Sequence, residues 1–327
     1  MKSVKLVIIC FLSCVPGLAA HAQCLGCWPP FPPPPPPQCG VNFNLNAAAY
    51  QISASPAMPT IQATVVSKSP SNANVSWRAT ISYTAQNGTT YTSPQKTGSG
   101  NSFTPNWGTD MFGGTLRVYA TCSRSGYSDY TLQRASQITG INPSQSAIRS
   151  RLTSPWFASR IARVESSMRQ FDGSGKPLFG PPAGFGIMQI DNPPATTQDL
   201  WDWRINLYSG QQVIQSKVSY ANGWYGNQVQ QWQAAVSSGL STSPPPPNKT
   251  VGPVTFSYNP VSGRRSHRDG IAIKRYNGAS SCGNQVSGNW LTWNNVSSPN
   301  PANWFWEFNE LNNSCENYVE KVATAAP

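Results

Sequence analysis

The first half of the chain alternates apolar and polar residues with the two-residue period of a half-buried strand. The segment VSWRATISY, residues 75–83, shows this alternation, and GGTLRVYATC, residues 113–122, repeats it after a glycine turn. Successive side chains of a strand point to opposite faces, so each segment buries one face. Several short strands separated by turn signals predict an immunoglobulin-like β-sandwich over residues 45–141.

Beyond residue 142 the apolar period becomes that of a helix. Phe157, Ile161, Val164 and Met168 recur three or four residues apart. The pattern predicts a mainly α-helical domain over residues 142–327. A proline-rich stretch at about 239–267 is too long for an ordinary turn, so we interpret it as an insertion in this domain that forms a surface flap.

The start of the chain has the pattern of an export signal. Residues 1–22 combine Lys2 and Lys5 with the apolar run LVIICFL and end in the small-residue cleavage pattern Ala-His-Ala. Residues 23–44 form a linker rich in cysteine and proline. No later apolar segment is long enough for a membrane helix. We therefore expect a secreted or periplasmic protein whose mature chain does not span a membrane.

Composition narrows the choice of partners. The 327 residues are 39% hydrophobic and 11% charged, with a formal net charge of +11, which favours an anionic partner. Nucleic acid is not expected, because no recognition motif accompanies the charge and the chain carries an export signal. Between residues 45 and 141 the acids are Asp110 and Asp129 alone, without histidine. We therefore predict that this region is a spacer or binding module without acid–base chemistry.

Cysteine and histidine usage bounds the chemistry further. Six cysteines follow the signal, an even number that fits a disulfide framework in an oxidising compartment. Cys282 and Cys315 are the favoured pair because both fall in one C-terminal segment, and the pairing of four others stays open: Cys24, Cys27, Cys39 and Cys122. The one histidine after the signal, His267, is predicted to lie on a solvated basic loop. We expect no metal and no organic cofactor.

One acid occupies a position where a helix normally buries a hydrocarbon. In IARVESSMRQF, residues 161–171, Glu165 lies four residues after Ile161 and three before Met168, so a helix places it on their apolar face. Burial raises the pKa of a carboxyl group toward the range of a general acid working near neutral pH. The alternative is a structural ion pair with a neighbouring arginine: Arg160, Arg163 or Arg169.

Three ordered motifs give this acid a context. Glu165-Ser166, Gly186-Ile187-Met188-Gln189 and Tyr276-Asn277 resemble, in that order, the motifs of the soluble lytic transglycosylase and goose-type lysozyme superfamily. The helical segment with Asn206 and Gly210, and NYVEKV at residues 317–322, agree with the same family. The resemblance covers residues 142–322 approximately and implies a lysozyme-like fold for this domain.

The resemblance implies that the substrate is the peptidoglycan glycan strand. Glu165 would protonate the glycosidic oxygen of a MurNAc-GlcNAc linkage and then act as base on the C6 hydroxyl, giving a 1,6-anhydro product. Tyr276 and Asn277 would orient Glu165 and the substrate. The residues that would line the sugar-binding cleft are Ser166, Gly186, Met188 and Gln189.

Two other functions stay open. Asp191, at the end of GFGIMQID, matches an aspartate that is thought to place water in goose-type lysozymes, so Glu165 and Asp191 together would make a hydrolase. Arg275 stands where transglycosylases usually have a small residue. The second alternative is a wall-binding protein that has lost activity.

Overall fold

The structure is a computed structural model that describes residues 34–277, 289–293, 300, 303–309 and 317–327. The predicted signal peptide, residues 1–22, lies outside the described residues. The same holds for the favoured disulfide pair, Cys282 and Cys315, and for Cys24 and Cys27.

The first part of the described chain, up to residue 140, is built from nine strands. They are β1 (Gly40–Leu45), β2 (Ala49–Ile52), β3 (Ala63–Ser69), β4 (Asn74–Thr84), β5 (Thr90–Thr92), β6 (Lys96–Ser99), β7 (Ser102–Phe103), β8 (Gly114–Ser123) and β9 (Tyr130–Gly140). One sheet has the order β1-β3-β7, and the other has the order β2-β9-β8-β4-β5, with β6 also paired to β4. The β2–β9 pair is parallel and the other pairs are antiparallel.

The alternating sequence of β4 determines how the two sheets pack. Its apolar positions are buried and the residues between them face outward. Phe43 of β1 packs edge-on against Trp77 of β4, with ring centroids 5.1 Å apart, and Phe103 stacks on Trp77 at 5.9 Å. The sheets therefore face each other across an aromatic core. A disulfide between Cys39 and Cys122 joins the start of β1 to β8.

The second part of the described chain combines helices with short strands. The helices are α1 (Gln145–Arg149), α2 (Ala158–Ser166), α3 (Thr197–Trp201), α4 (Trp203–Ser237), α5 (His267–Tyr276) and α6 (Tyr318–Thr324). The strands are β10 (Phe179–Gly180), β11 (Gly184–Phe185), β12 (Lys249–Val251), β13 (Val254–Ser257), β14 (Arg265–Ser266), β15 (Leu291–Trp293) and β16 (Trp306–Phe308). They form three small sheets, β10-β11, β12-β13-β14 and β15-β16.

The prediction of a β-sandwich followed by a mainly α-helical, lysozyme-like domain is wrong for the protein as described. Strand makes up 31% and helix 27% of the described residues, and the part after residue 142 holds several small sheets around one long helix, α4. The physical reason lies partly in the proline-rich segment at about 239–267: its threonine, valine and phenylalanine residues form β12 and β13.

The two parts of the chain are packed together around the start of α4. The Trp201 ring lies edge-on against Tyr83 of β4, with centroids 5.3 Å apart. The Trp203 indole donates a hydrogen bond of 2.8 Å to the Ala54 carbonyl. The Asp202 side chain caps α4 through the Arg204 backbone N–H. The start of α4 is thus held against the strand-rich first part of the chain.

The prediction that His267 lies on a solvated loop is wrong, because it is the first residue of α5 and is fully buried. Its imidazole packs among the rings of Tyr225, Trp290 and Phe308, at centroid distances of 6.0, 6.1 and 5.6 Å. Burial lowers the pKa of His267 to about 4, so the ring is neutral at pH 7. This aromatic packing fixes the start of the helix whose last residue is Tyr276.

Among the described residues, no helix is both long and apolar enough to cross a bilayer. The Cys39–Cys122 disulfide is compatible with an oxidising compartment outside the cytoplasm.

Candidate active site

A cleft of about 540 Å³ lies beside the end of α2, a volume within the usual range of ligand pockets. Glu165 lies on its wall, in the last turn of α2. The helix ends one residue later, because Ser167 and Met168 adopt left-handed backbone conformations with φ of 57° and 59°. Met168 therefore follows the helix instead of extending it, while Ile161 packs in the core as predicted.

Glu165 has one hydrogen-bond donor among the described residues, the hydroxyl of Tyr318, which donates to Oε1. Burial raises the pKa of Glu165 above its ordinary value. The Tyr318 hydrogen bond opposes that shift, the charge of Asp191 adds to it, and the charge of Lys321 opposes it. The net direction is upward, which favours the protonated form that a general acid requires.

The three arginines near Glu165 in sequence all bind other groups. Arg160 donates to the Ala323 carbonyl, Arg163 donates to Gln145 Oε1 at 3.2 Å, and Arg169 donates to the Ser166 carbonyl at 3.4 Å. The Arg204–Asp202 ion pair lies elsewhere in the chain. The alternative that Glu165 is one half of a structural ion pair with these arginines is therefore not supported.

Two buried amide side chains hold the segment 185–188, which leads to the cleft residues Gln189 and Asp191. Asn206 of α4 accepts from the Met188 N–H at 2.9 Å and donates to the Phe185 carbonyl at 2.9 Å. Gln170 accepts from the Ile187 N–H at 3.3 Å. Gly186 has φ of 73°, and a Cβ there would lie 2.5 to 2.7 Å from these two amides. Glycine is required because the backbone must approach both amides in a left-handed conformation.

Tyr276 joins this segment to α5. Its hydroxyl donates a hydrogen bond of 2.7 Å to the Met188 carbonyl, and the residue also lines the cleft. Burial raises the pKa of Tyr276 well above its ordinary value, and the charges of Glu165 and Asp191 add to the shift. The phenol is therefore a neutral donor at neutral pH. Arg275, the large residue before it, is accommodated by stacking over the ring of Tyr220, with 4.0 Å between the guanidinium carbon and the ring centroid.

The structure brings five of the predicted site residues to one cleft: Glu165, Gln189, Asp191, Tyr276 and Asn277. The other three are not among the residues that line it. The Ser166 hydroxyl donates to the Ala162 carbonyl and accepts from the Arg169 N–H, and the Met188 side chain is fully buried. Gly186 is buried under its two amide partners. These three residues shape the cleft wall from behind.

The sequence analysis did not predict two residues of the site, Tyr318 and Lys217. Tyr318 lies in NYVEKV, which was assigned to a helix without a role for its tyrosine. Lys217 lines the cleft one helical turn after Val213 on α4, and nothing in the sequence distinguishes it from an ordinary surface lysine. Within the residues that the structure describes, no three His, Cys, Asp or Glu side chains converge as metal ligands.

Comparisons with known proteins do not assign a function to this site. No protein-family model matches the chain, and no match was found among the curated proteins.

Proposed function

We propose that this chain is an exported enzyme that cleaves the glycan strand of peptidoglycan, with Glu165 as the general acid. The observation that carries the proposal is a half-buried carboxyl group with a raised pKa on the wall of a cleft of about 540 Å³. Within the described part of the chain, this group has one hydrogen-bond donor and no arginine partner. The substrate itself is inferred from the three-motif resemblance, and the export from residues 1–22 and the disulfide.

The favoured reaction is that of a lytic transglycosylase, which needs one carboxyl group. Protonated Glu165 gives its proton to the glycosidic oxygen as the bond from C1 of MurNAc to that oxygen breaks. The Glu165 carboxylate then removes the proton of the C6 hydroxyl, whose oxygen bonds to C1 and forms the 1,6-anhydro ring. Glu165 ends the cycle protonated, and no water is consumed.

Neighbouring residues support this use of Glu165. Tyr318 fixes the orientation of the carboxyl group through its hydrogen bond. Gln189 and Asn277 place polar side chains on the cleft wall, and Tyr276 holds that wall through its hydrogen bond to the Met188 carbonyl. Sugars are recognised by such convergent hydrogen-bonding groups in a concave site.

Hydrolysis is the second candidate, and the position of Asp191 favours it. Asp191 lines the same cleft as Glu165, and its charge raises the Glu165 pKa. An inverting hydrolase uses such a second carboxylate to activate water on the opposite face of the sugar.

The test is mass spectrometry of the fragments released from purified peptidoglycan by the mature protein and by Glu165→Gln. We expect anhydro-muropeptides from the wild type and a loss of rate of about 100-fold or more in Glu165→Gln, the scale of general acid catalysis. Products with reducing ends would show that the enzyme is a hydrolase and not a lyase. Cleavage that is unchanged in Glu165→Gln would refute the role of Glu165, and no cleavage by either protein would leave a wall-binding protein.

A further inference from the structure

A second pocket, of about 550 Å³, lies where the six-stranded sheet meets the segment 174–176 and Trp201. Among the described residues, its lining shares none with the cleft of Glu165. Junctions between structural units are frequent places for ligand sites. The polar side chains that matter here are those of Arg117, Gln137, Ser82, Thr115, Ser174 and Lys176.

Strand register places four of these side chains on one outer face of the sheet. Ser82 pairs with Thr115, and Thr115 pairs with Gln137, while Arg117 lies two residues further along β8. The residue between Thr115 and Arg117, Leu116, is fully buried, so its neighbours point outward. Two hydrogen bonds fix the arrangement: Arg117 Nη1 donates to Ser82 Oγ at 2.9 Å, and Gln137 Nε2 donates to Thr115 Oγ1 at 3.2 Å.

Two cations, Arg117 and Lys176, line the pocket, and among the described residues no aspartate or glutamate does. Although burial opposes the shift, hydrogen bonds from Ser174 and Lys176 and the charge of Lys176 lower the pKa of the nearby Asp172, so that acid compensates part of the positive charge. The nearest acid in sequence, Asp172, uses its Oδ1 atom to accept from the backbone and hydroxyl of Ser174, at 2.8 and 2.7 Å, and from the Lys176 N–H at 3.0 Å. Among the described residues, Arg117 makes one hydrogen bond and no ion pair.

The same sheet face continues away from the pocket with a second arginine. Arg78 lies across from Tyr119, and its guanidinium carbon is 4.4 Å from the ring centroid. Arg117 lies across from Thr80, so the two arginines are two register positions apart, or about 7 Å along the strands. The two acids of this region, Asp110 and Asp129, both lie outside its strands.

We propose that this pocket and the adjoining sheet face bind a carboxylate-bearing polysaccharide strand. Arginines recognise carboxylates through their planar fork of donors, and a guanidinium stacked on a tyrosine ring holds that fork in a fixed orientation. The threonine, serine and glutamine side chains between the cations supply hydrogen bonds for sugar hydroxyls. Two arginines about 7 Å apart along the strands suit a polymer with repeated charges better than a single small anion. The site is independent of the Glu165 chemistry.

Binding of polygalacturonate tests the proposal, with neutral dextran as the comparison polymer. The mature chain carries Glu165→Gln in every sample, so that turnover plays no part in the result. We expect binding to polygalacturonate and not to dextran, and a loss of affinity of about tenfold for Arg117→Gln and for Lys176→Gln, the value of one hydrogen bond to a charged group. Arg124→Gln removes the same charge from an exposed turn of the same sheet region and serves as the matched control.

Three results would overturn the proposal: no binding to polygalacturonate, equal binding to dextran, or an equal loss in Arg124→Gln, which would show that net charge alone attracts the polymer. Lys176 is exposed, so Lys176→Gln tests the site even if Arg117→Gln unfolds. The peptidoglycan digest of the wild type is scored separately, so failure of the proposed function leaves this binding result intact.

Discussion

Asp199 and Glu165 are two carboxyl groups of the same half of the molecule, the first buried and the second half-buried, and they differ in their hydrogen-bond donors. Asp199, which is 3% exposed, accepts hydrogen bonds from the Thr196 N–H, the Thr196 hydroxyl and the Ser209 hydroxyl. From the residues that the structure describes, Glu165 accepts one hydrogen bond, donated by Tyr318. Asp199 closes the capping box of α3, whereas Glu165 faces a cleft.

The difference separates a structural acid from a chemical one. A buried carboxylate whose lone pairs are filled by short hydrogen bonds contributes to stability, and its loss leaves donors unsatisfied. A carboxyl group that is desolvated but sparsely bonded has its pKa raised, which costs stability when it ionises and makes it available for proton transfer. Proteins commonly accept such a cost at functional sites.

The largest difference in stability is expected between the variants in which each acid is replaced by its amide. Asp199→Asn replaces one acceptor oxygen by an NH₂ group facing hydroxyl or N–H donors, and we expect the free energy of unfolding to fall by about 2 to 3 kcal/mol. Glu165→Gln keeps an acceptor for Tyr318 and removes the desolvated charge, so we expect a change within about 1 kcal/mol or a gain. Urea unfolding at pH 7 measures both. Equal losses would break the distinction.

A smaller effect is expected at two glycines of α4. A Cβ on Gly210 would lie 2.4 Å from Met188 Cγ, whereas Gly223 has open space around it. We expect Gly210→Ala to destabilise the protein by about 1 to 3 kcal/mol through overpacking. Gly223→Ala should stabilise it by about 0.5 to 1 kcal/mol, because alanine is the better helix former.

Thermal unfolding of Gly210→Ala and Gly223→Ala measures the difference in their stabilities. Because Tyr276 is bonded to the Met188 carbonyl, Gly210→Ala should also lower turnover, and Gly223→Ala should not. A Gly210→Ala variant as stable and active as Gly223→Ala would show that the cleft wall does not depend on this contact.

The smallest effects are opposite shifts of the pH profile. Glu165 acts as an acid only when protonated, so kcat/KM falls as pH rises through the Glu165 pKa. Tyr318→Phe removes a bond that favours the carboxylate, so the pKa rises and the fall moves to higher pH. Asp191→Asn removes a charge that raises the pKa, so the fall moves to lower pH. Shifts in the same direction would contradict this electrostatic account.

The sequence predicted strands of the first half and part of the site, because these features depend on residues close together in the chain. The alternation of residues 75–83 is realised in β4, and the 161–171 pattern placed Glu165 on a helix at the edge of a cleft. The helix ends before Met168 because the chain turns through two left-handed residues, which no apolar period indicates.

The features that the sequence did not predict depend on contacts between residues far apart in the chain. Tyr318 and Glu165 are 153 residues apart in the sequence, and Cys39 and Cys122 are 83 residues apart. Because both separations are long, the spacing of residues in the sequence predicted neither contact. The resemblance implied that Ser166 and Met188 line the cleft, but both side chains are packed away from it. The mixed sheet and helix content of residues 142–327 was missed because β12 and β13 lie in a proline-rich segment.

The most direct test of the central claim is the titration of the Glu165 carboxyl carbon by ¹³C NMR, with its signal assigned by its absence in Glu165→Gln. The structure predicts a pKa above the ordinary glutamate value of about 4.3. A pKa at or below that value would mean that Glu165 is ionised throughout the neutral range, and would contradict its role as the acid.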